Sequence, residues 1–147
     1  MNARRLENSL NIAKDSKNSN TKINSVTGNE TDVSYSQNWS GAAITSPPTG
    51  ETFNEVAGTV TVPKPSIPDG VSATDGEYAA SVWVGIDGNT YSTAILQTGI
   101  DLVVDTSGTA SFSAWYEWYP DYAYDFDLTI SEGDVCSPTH PFSSRQY

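Results

Sequence analysis

The chain has 147 residues and a formal net charge of −11 at pH 7, which is enough length for one domain with a modest core. Residues 1–24 carry five basic and two acidic side chains (net +3), whereas residues 25–147 carry two basic and sixteen acidic ones (net −14). So few cations argue against nucleic acid and against an anionic membrane as partners, because phosphate binding needs clustered Lys and Arg.

The sequence offers no targeting segment and no metal site. No run approaches the roughly 18 to 20 apolar residues of a membrane helix, and residues 1–24 lack the apolar stretch of a secretory signal, so no signal peptide is visible. Cys136 is the single cysteine, and the single histidine, His140, stands in the turn-like context "SPTHPF". We therefore expect no intrachain disulfide, no metal and no cofactor.

The acidic composition leaves two environments open. A pI near 4.1 suits a protein that works in acid, where many carboxylates are protonated and self-repulsion falls. Acidic bodies are also common among ordinary cytosolic proteins, so the charge alone does not decide between them.

Composition changes once along the chain. Residues 1–34 are rich in Asn, Ser, Thr and Lys and contain no aromatic residue, which is typical of a flexible leader or the remnant of a pro-segment. From residue 35 the chain becomes aromatic and β-branched, with turn clusters such as "SPPTGE", "PKPSIPDG" and "DTSGT". Short strands between regular turns predict an all-β sandwich or barrel.

Five segments alternate apolar and polar residues with the period of a strand. They are "NEVAGTVTVP" (54–63), "YAASVWVGID" (78–87), "TAILQTG" (93–99), "TASFSAWYEWYP" (109–120) and "DFDLTI" (125–130). Each has one apolar face and one mixed face, as an antiparallel sheet with one wetted side requires.

The mixed faces of the middle strands are rich in aromatic and hydrogen-bonding side chains. By the alternation they carry Trp83, Asp87, Gln97, Trp115, Glu117 and Tyr119. Such a set could form the floor of a cleft with aromatic walls. The competing interpretation is that these aromatic residues pack under loops or against a second sheet.

Several ordered motifs resemble one family. They are "QNWSGAAI", "GTVTVP", "SVWVGIDGNT", "AILQTGID", "AWYEWYP" and "ISEGD". Over about residues 36–134 the chain resembles the glutamic peptidases, or eqolisins, which are pepstatin-insensitive acid endopeptidases. The resemblance implies a secreted, extracellular, monomeric antiparallel β-sandwich of jelly-roll (concanavalin-like) type that acts on polypeptide substrates without a cofactor.

The resemblance also assigns roles to residues. The family uses a catalytic glutamine and glutamate, and Gln97 in "AILQTGID" matches the glutamine. In that chemistry a carboxylate activates a water as general base, while the amide holds the nucleophile and stabilises the oxyanion. Further positions match the substrate cleft, namely Trp39, Trp115, Glu117 and Tyr119, and Asp87 shares their sheet face by the alternation.

The end of the chain departs from the family. The catalytic glutamate is expected in a later strand downstream of "ISEGD", and no residue here matches it. The residues after Val135 lose the strand period and include Pro138 and Pro141. We therefore expect a partial sandwich over residues 35–135, a non-family tail over 136–147, and a truncated product that is prone to aggregate through unpaired edges.

Three alternatives remain open at this point. Glu117 could replace the missing glutamate, because it is the one carboxylate on the mixed face with Gln97 as a plausible neighbour. The chain could instead be a binding module with an aromatic platform of Trp115, Trp118 and Tyr119 that holds sugar or peptide. It could also be an inactive fragment whose edges pair with other chains.

Overall fold

A computed structural model describes residues 35–36, 39–71 and 76–141 of the chain. Within these ranges there is no helix, and every paired strand is antiparallel, so the predicted all-β fold is confirmed. No helix in this part of the chain is long and apolar enough to cross a membrane. The predicted leader, residues 1–34, lies outside the described residues. The strands are β1 (Glu55–Ala57), β2 (Val60–Thr61), β3 (Tyr78–Asp87), β4 (Ile95–Val104), β5 (Ala110–Tyr119), β6 (Tyr124–Asp125), β7 (Val135–Cys136) and β8 (Thr139–Pro141).

The centre of the fold is a four-stranded meander in the order β3-β4-β5-β6. Strands β3, β4 and β5 each have ten residues, and they pair along their whole length without a bulge. The turn between β4 and β5 is held by Asp105, whose Oδ1 accepts hydrogen bonds from the backbone N–H groups of Ser107 and Thr109. This turn sets the register of the two strands, and with it the face on which every side chain lies.

A two-stranded ladder lies against one face of this sheet. Strand β1 pairs with β8 and β2 pairs with β7, and the hydrogen bond from the Gly58 amide to the Pro138 carbonyl joins the two short pairings. The single strand predicted over residues 54–63 is thus interrupted at Gly58, where an added Cβ would come within 2.9 Å of Val84. The close approach of this backbone to β3 explains why a glycine stands at the break.

The core forms between the ladder and the sheet. Its buried members are Val62, Ile100, Leu102, Ala114 and Ile130, with Val60, Phe112 and Cys136 packed against them. The even-numbered residues Ile100, Leu102, Phe112 and Ala114 of β4 and β5 thus face the core, as the alternation predicted, whereas Tyr116 and Trp118 on the same face are exposed. The odd-numbered residues of β3, β4 and β5 lie on the opposite face, which carries the polar groups.

The strand predicted over residues 125–130 does not form. Only Tyr124 and Asp125 pair with β5, and the ladder ends with the hydrogen bond from the Phe126 amide to the Ala114 carbonyl. Leu128 is exposed, so only Ile130 of the predicted apolar face reaches the core. The residues of this segment do alternate between apolar and polar, but the chain leaves the sheet after Phe126.

The residues from 136 onward take part in the fold as far as the structure describes them. Cys136 pairs with Val60, and the backbone of His140 lies in β8 rather than in a loop. Pro141 ends β8, where a missing N–H costs little. Whether the family domain ends at residue 135 remains a prediction.

Candidate active site

Gln97 lies at the centre of the polar face. It stands on β4 directly between Gly85 of β3 and Glu117 of β5, with flanking strands on both sides. Only 4 % of its surface is exposed. A buried amide must have hydrogen-bond partners, because an unsatisfied one costs about 1 to 3 kcal/mol.

The partner of Gln97 is Glu117. The Nε2 of Gln97 donates a hydrogen bond of 2.5 Å to Oε2 of Glu117, which is also 4 % exposed. Opposed residues of an antiparallel pair have Cβ atoms about 4.5 to 5.5 Å apart, so the two side chains meet without stretching. The contact fixes which end of the amide faces the carboxylate, and the amide retains a second N–H and its carbonyl oxygen for another ligand.

Two tryptophans form a wall beside this pair. The ring of Trp83 lies over Gly85, where an added Cβ would come within 3.2 Å of the ring and 3.1 Å of the Gln97 Cβ. Trp39 packs edge-on against Trp83, with ring centroids 5.1 Å apart and an interplanar angle of 61°. Its ring also reaches Gly88, whose φ of 86° starts the turn after β3. Trp39 therefore joins the polar face although it lies far from the sheet in sequence.

The remaining predicted site residues lie along the same face. Trp115 is buried two residues before Glu117 on β5, where it opposes Gly99. Its carbonyl accepts a hydrogen bond of 2.7 Å from the Thr98 hydroxyl. In the other direction, the exposed Asp87 and the half-buried Tyr119 both oppose Ile95. Asp87 has a φ of 69°, a conformation that Asp tolerates better than most residues.

Sequence reasoning missed one buried carboxylate on this face. Asp101 is buried, accepts a hydrogen bond of 2.7 Å from the Ser81 hydroxyl and opposes Ser113 on β5. Asp101 is an odd-numbered residue of β4, like Gln97, so the alternation along this strand could have placed it on the same face. Ser81, Asp101 and Ser113 form a polar row four residues along the strands from the Gln97–Glu117 row.

The electrostatic character of the face is acidic. It carries two buried carboxylates, Glu117 and Asp101, and the more exposed Asp87 at one end. Among the described residues Lys64 is the one Lys or Arg, and it is exposed on the segment after β2. Within this part of the chain, no group of three or more His, Cys, Asp or Glu side chains could hold a metal ion. The face thus offers carboxylates and a buried amide as hydrogen-bonding groups.

The predicted platform of three aromatic residues is wrong. Trp115 and Tyr119 lie on the polar face, whereas Trp118 lies on the opposite face and is 61 % exposed. Residues an odd number apart on a strand cannot share a face, so Trp118 cannot join the other two in holding a sugar ring. Trp115 is, in addition, only 4 % exposed.

Comparisons with known proteins agree on one family. Residues 37–139 match the Peptidase A4 family. The chain is 45 % identical over 140 residues to aspergillopepsin-2 of Aspergillus niger, a match that covers 84 % of this chain and 46 % of that protein. It is 44 % identical over 108 residues to scytalidopepsin B of Scytalidium lignicola, which covers 72 % of this chain and 35 % of that protein.

Solved structures of such peptidases share sequence with the chain. A crystal structure of scytalido-glutamic peptidase with a transition-state analogue inhibitor is 46 % identical, with a TM-score of 0.47, over 59 % of this chain and 37 % of that one. The crystal structure of aspergilloglutamic peptidase from Aspergillus niger is 50 % identical, with a TM-score of 0.39, over 46 % of this chain and 54 % of that one. The chain thus spans less than half the length of the curated relatives it matches. From the extent of the family match and the identity to these relatives, the chain belongs to the Peptidase A4 family, the glutamic peptidases.

Proposed function

We propose that the chain takes part in the hydrolysis of peptide bonds in acid, with the Gln97 amide as the catalytic hydrogen-bond donor. One observation carries the proposal: in a chain of a peptidase family, Gln97 donates a buried hydrogen bond to Glu117. The amide does not titrate, so it remains a donor at a pH where carboxylates exchange protons.

The reaction assigns a separate task to each group. A carboxylate takes a proton from a water molecule, whose oxygen attacks the carbonyl carbon of the scissile peptide bond. The negative charge that develops on the carbonyl oxygen is stabilised by the N–H of Gln97 that Glu117 does not use. Protonation of the leaving nitrogen then allows the C–N bond to break.

Glu117 acts in this scheme as a positioning residue. Its Oε2 accepts the hydrogen bond of the Gln97 amide, so this oxygen is engaged by the amide rather than offered to a substrate water. By accepting from Nε2 it holds the amide in one of its two orientations. We assign the general base to a glutamate from polypeptide beyond the region that the chain shares with its relatives, as the family resemblance implies.

The walls of the cleft suit an extended polypeptide. Aromatic surface is supplied by Trp39 and Tyr119, while the buried Trp115 supports the floor between them, and the exposed carboxylate of Asp87 at one end can contact a substrate. The described residues of this acidic face include no Lys or Arg, so the cleft favours neutral or basic peptide segments over acidic ones. We further propose that the protein acts outside the cell and is insensitive to pepstatin, in line with the family it belongs to.

Assays in the presence of pepstatin test the catalytic role. The 147-residue chain and its Gln97→Ala and Glu117→Gln variants are incubated with a denatured protein substrate at about pH 3 to 4, where a carboxylate base is poised. Each is tested alone and with the polypeptide that aspergillopepsin-2 carries beyond the shared region. The matched control is Ser111→Ala, an exposed polar residue on the same face at the far end of β5.

We expect activity in the mixture, and a rate lower by about 10²- to 10³-fold with Gln97→Ala, the typical effect of losing one oxyanion donor. Glu117→Gln keeps part of the rate if the residue only positions the amide, whereas equal losses for the two variants would make Glu117 the base. A rate unchanged by Gln97→Ala, or no activity in any sample, would overturn the proposal.

A further inference from the structure

The hydrogen bond between Gln97 and Glu117 has a direction that depends on charge. The Nε2 of Gln97 donates to Oε2 of Glu117 at 2.5 Å, and both side chains are 4 % exposed. An ionised carboxylate has no hydrogen to donate, so it can only accept from the amide. The orientation of the Gln97 amide in the structure is therefore the one that suits an ionised Glu117.

A protonated Glu117 has the opposite requirement. Its carboxylic acid carries an O–H, and a buried donor needs an acceptor. The nearest side chain across the strand pair is Gln97, and a half-turn of its amide puts the carbonyl oxygen where Nε2 lies now. The two ends of an amide have almost the same size, so packing does not oppose this turn. Protonation also weakens the present bond, because a charged acceptor makes a hydrogen bond about twice as strong as a neutral one.

The surroundings of the pair are acidic on every strand of the sheet. The four strands β3 to β6 hold no Lys, Arg or His, and residues 39–50, which pack here through Trp39, hold no titratable side chain. The titratable groups on the polar face besides Glu117 are Asp87 on β3, Asp101 on β4, Tyr119 on β5 and Asp125 on β6. Neighbouring carboxylates and burial both favour the neutral form of a carboxyl group as the pH falls.

We propose that protonation of Glu117 reverses the Gln97 amide, so that the pair is a pH-sensitive switch. With Glu117 ionised, one N–H of Gln97 is held by the carboxylate. With Glu117 neutral, the amide oxygen accepts from Glu117 and both N–H groups are available to a substrate on the polar face. The consequence for catalysis rests on the proposed function, in which Gln97 is the oxyanion donor: acid then raises the number of available donors from one to two.

Nuclear magnetic resonance of the 147-residue chain tests the reversal without any need for activity. The side-chain amide signals of Gln97 are identified by their loss in Gln97→Ala, and the carboxyl carbon of Glu117 by its loss in Glu117→Gln. Both are followed from about pH 7 to pH 3, which spans the ordinary titration range of a glutamate. The nuclear Overhauser contact between the Nε2 protons and the Glu117 side chain reports the orientation of the amide.

We expect this contact to be lost in acid, with the same midpoint as the Glu117 carboxyl signal. Glu117→Gln removes the titrating group, so the transition at Gln97 should vanish. The matched control is Asp101→Asn, a buried carboxylate four residues along the same face, which should leave the transition in place. If Glu117→Gln does not fold, the parent chain alone decides, because both signals are followed in one sample.

Three results would overturn the proposal: a Glu117 that stays ionised to pH 3, a contact that persists after Glu117 is protonated, or a transition that Asp101→Asn abolishes. The proteolytic assay of the mixture described above is recorded alongside. Reversal without proteolysis would sustain the switch and reject the catalytic proposal, whereas proteolysis that needs Gln97 without reversal would sustain the catalytic proposal and reject the switch.

Discussion

The hydrogen bond between Gln97 and Glu117 should make a measurable contribution to the stability of the sheet. The perturbation is a double-mutant cycle of Gln97→Ala, Glu117→Ala and the combined variant. Each single variant removes this hydrogen bond but keeps one of the two buried groups, whereas the double variant removes both groups. The cycle therefore isolates the interaction from the loss of side-chain volume.

The magnitude follows from the burial of the pair. A hydrogen bond to a charged group contributes about 1.5 to 3 kcal/mol net. Both side chains are 4 % exposed, so the discount that solvent screening imposes on surface pairs does not apply. We expect a coupling free energy of about 1.5 to 3 kcal/mol at neutral pH.

Urea unfolding followed by tryptophan fluorescence measures the four free energies of unfolding. The matched control is a cycle between Gln97→Ala and Ser81→Ala, because Ser81 opposes Asp101, four residues and about 13 Å along β4 from Gln97. That cycle should be additive to within about 0.5 kcal/mol. A Gln97–Glu117 coupling no larger than that of the control would refute the geometry of the site.

Two further predictions concern the sheet and its turn. Gly99→Ala should lower the free energy of unfolding by about 1 to 3 kcal/mol, because the added Cβ would lie 2.7 Å from the Trp83 Cβ and would clash with the Val82 carbonyl oxygen. Urea unfolding measures the change, and the control Gly41→Ala, which lies in open space, should shift the urea midpoint little. Hydrogen bonds, first that of the Ser107 hydroxyl and then that of the Thr109 amide, hold the pKa of Asp105 below its ordinary value of 3.8. The stabilisation from the ionised Asp105 is thus full above pH 3.8 and is lost as the pH falls through the lower pKa of the folded state. The difference in melting temperature between the parent and Asp105→Ala should therefore shrink in acid. A difference that stays constant with pH would contradict this.

The alternation of β3 and β5 could be predicted from sequence because each strand has ten residues and keeps the same period throughout. In the structure the odd-numbered residues of both strands lie on one face, as predicted. Asp87, Trp115, Glu117 and Tyr119 therefore share this face with Gln97 of β4. What the period could not supply is register. The direct opposition of Gln97 and Glu117 depends on the conformation of the turn between β4 and β5, which shifts every pair if it changes by one residue.

The failures have local causes. The strand predicted over residues 125–130 rests on alternation alone, and its pairing with β5 ends after Asp125, next to the packing of Tyr124 and Phe126 on Tyr116. The interruption at Gly58 comes from the close approach of Val84, a residue of another strand. Trp39 joins the site through contacts with Trp83 that no periodicity contains. Each is a tertiary contact, which a local pattern cannot anticipate.

The meander places Gln97 and its hydrogen-bond partner Glu117 only 20 residues apart in sequence, whereas the ladder contact between Thr59 and Ser137 spans 78 residues. Loop-closure entropy grows with the logarithm of the span, so the ladder contact costs about 1.2 kcal/mol more to close than the Gln97–Glu117 contact. The chemistry of the site thus depends on a local hairpin, while the distant strands stabilise its other face. From the two spans we expect the Gln97–Glu117 pair to form before the Thr59–Ser137 contact of the ladder.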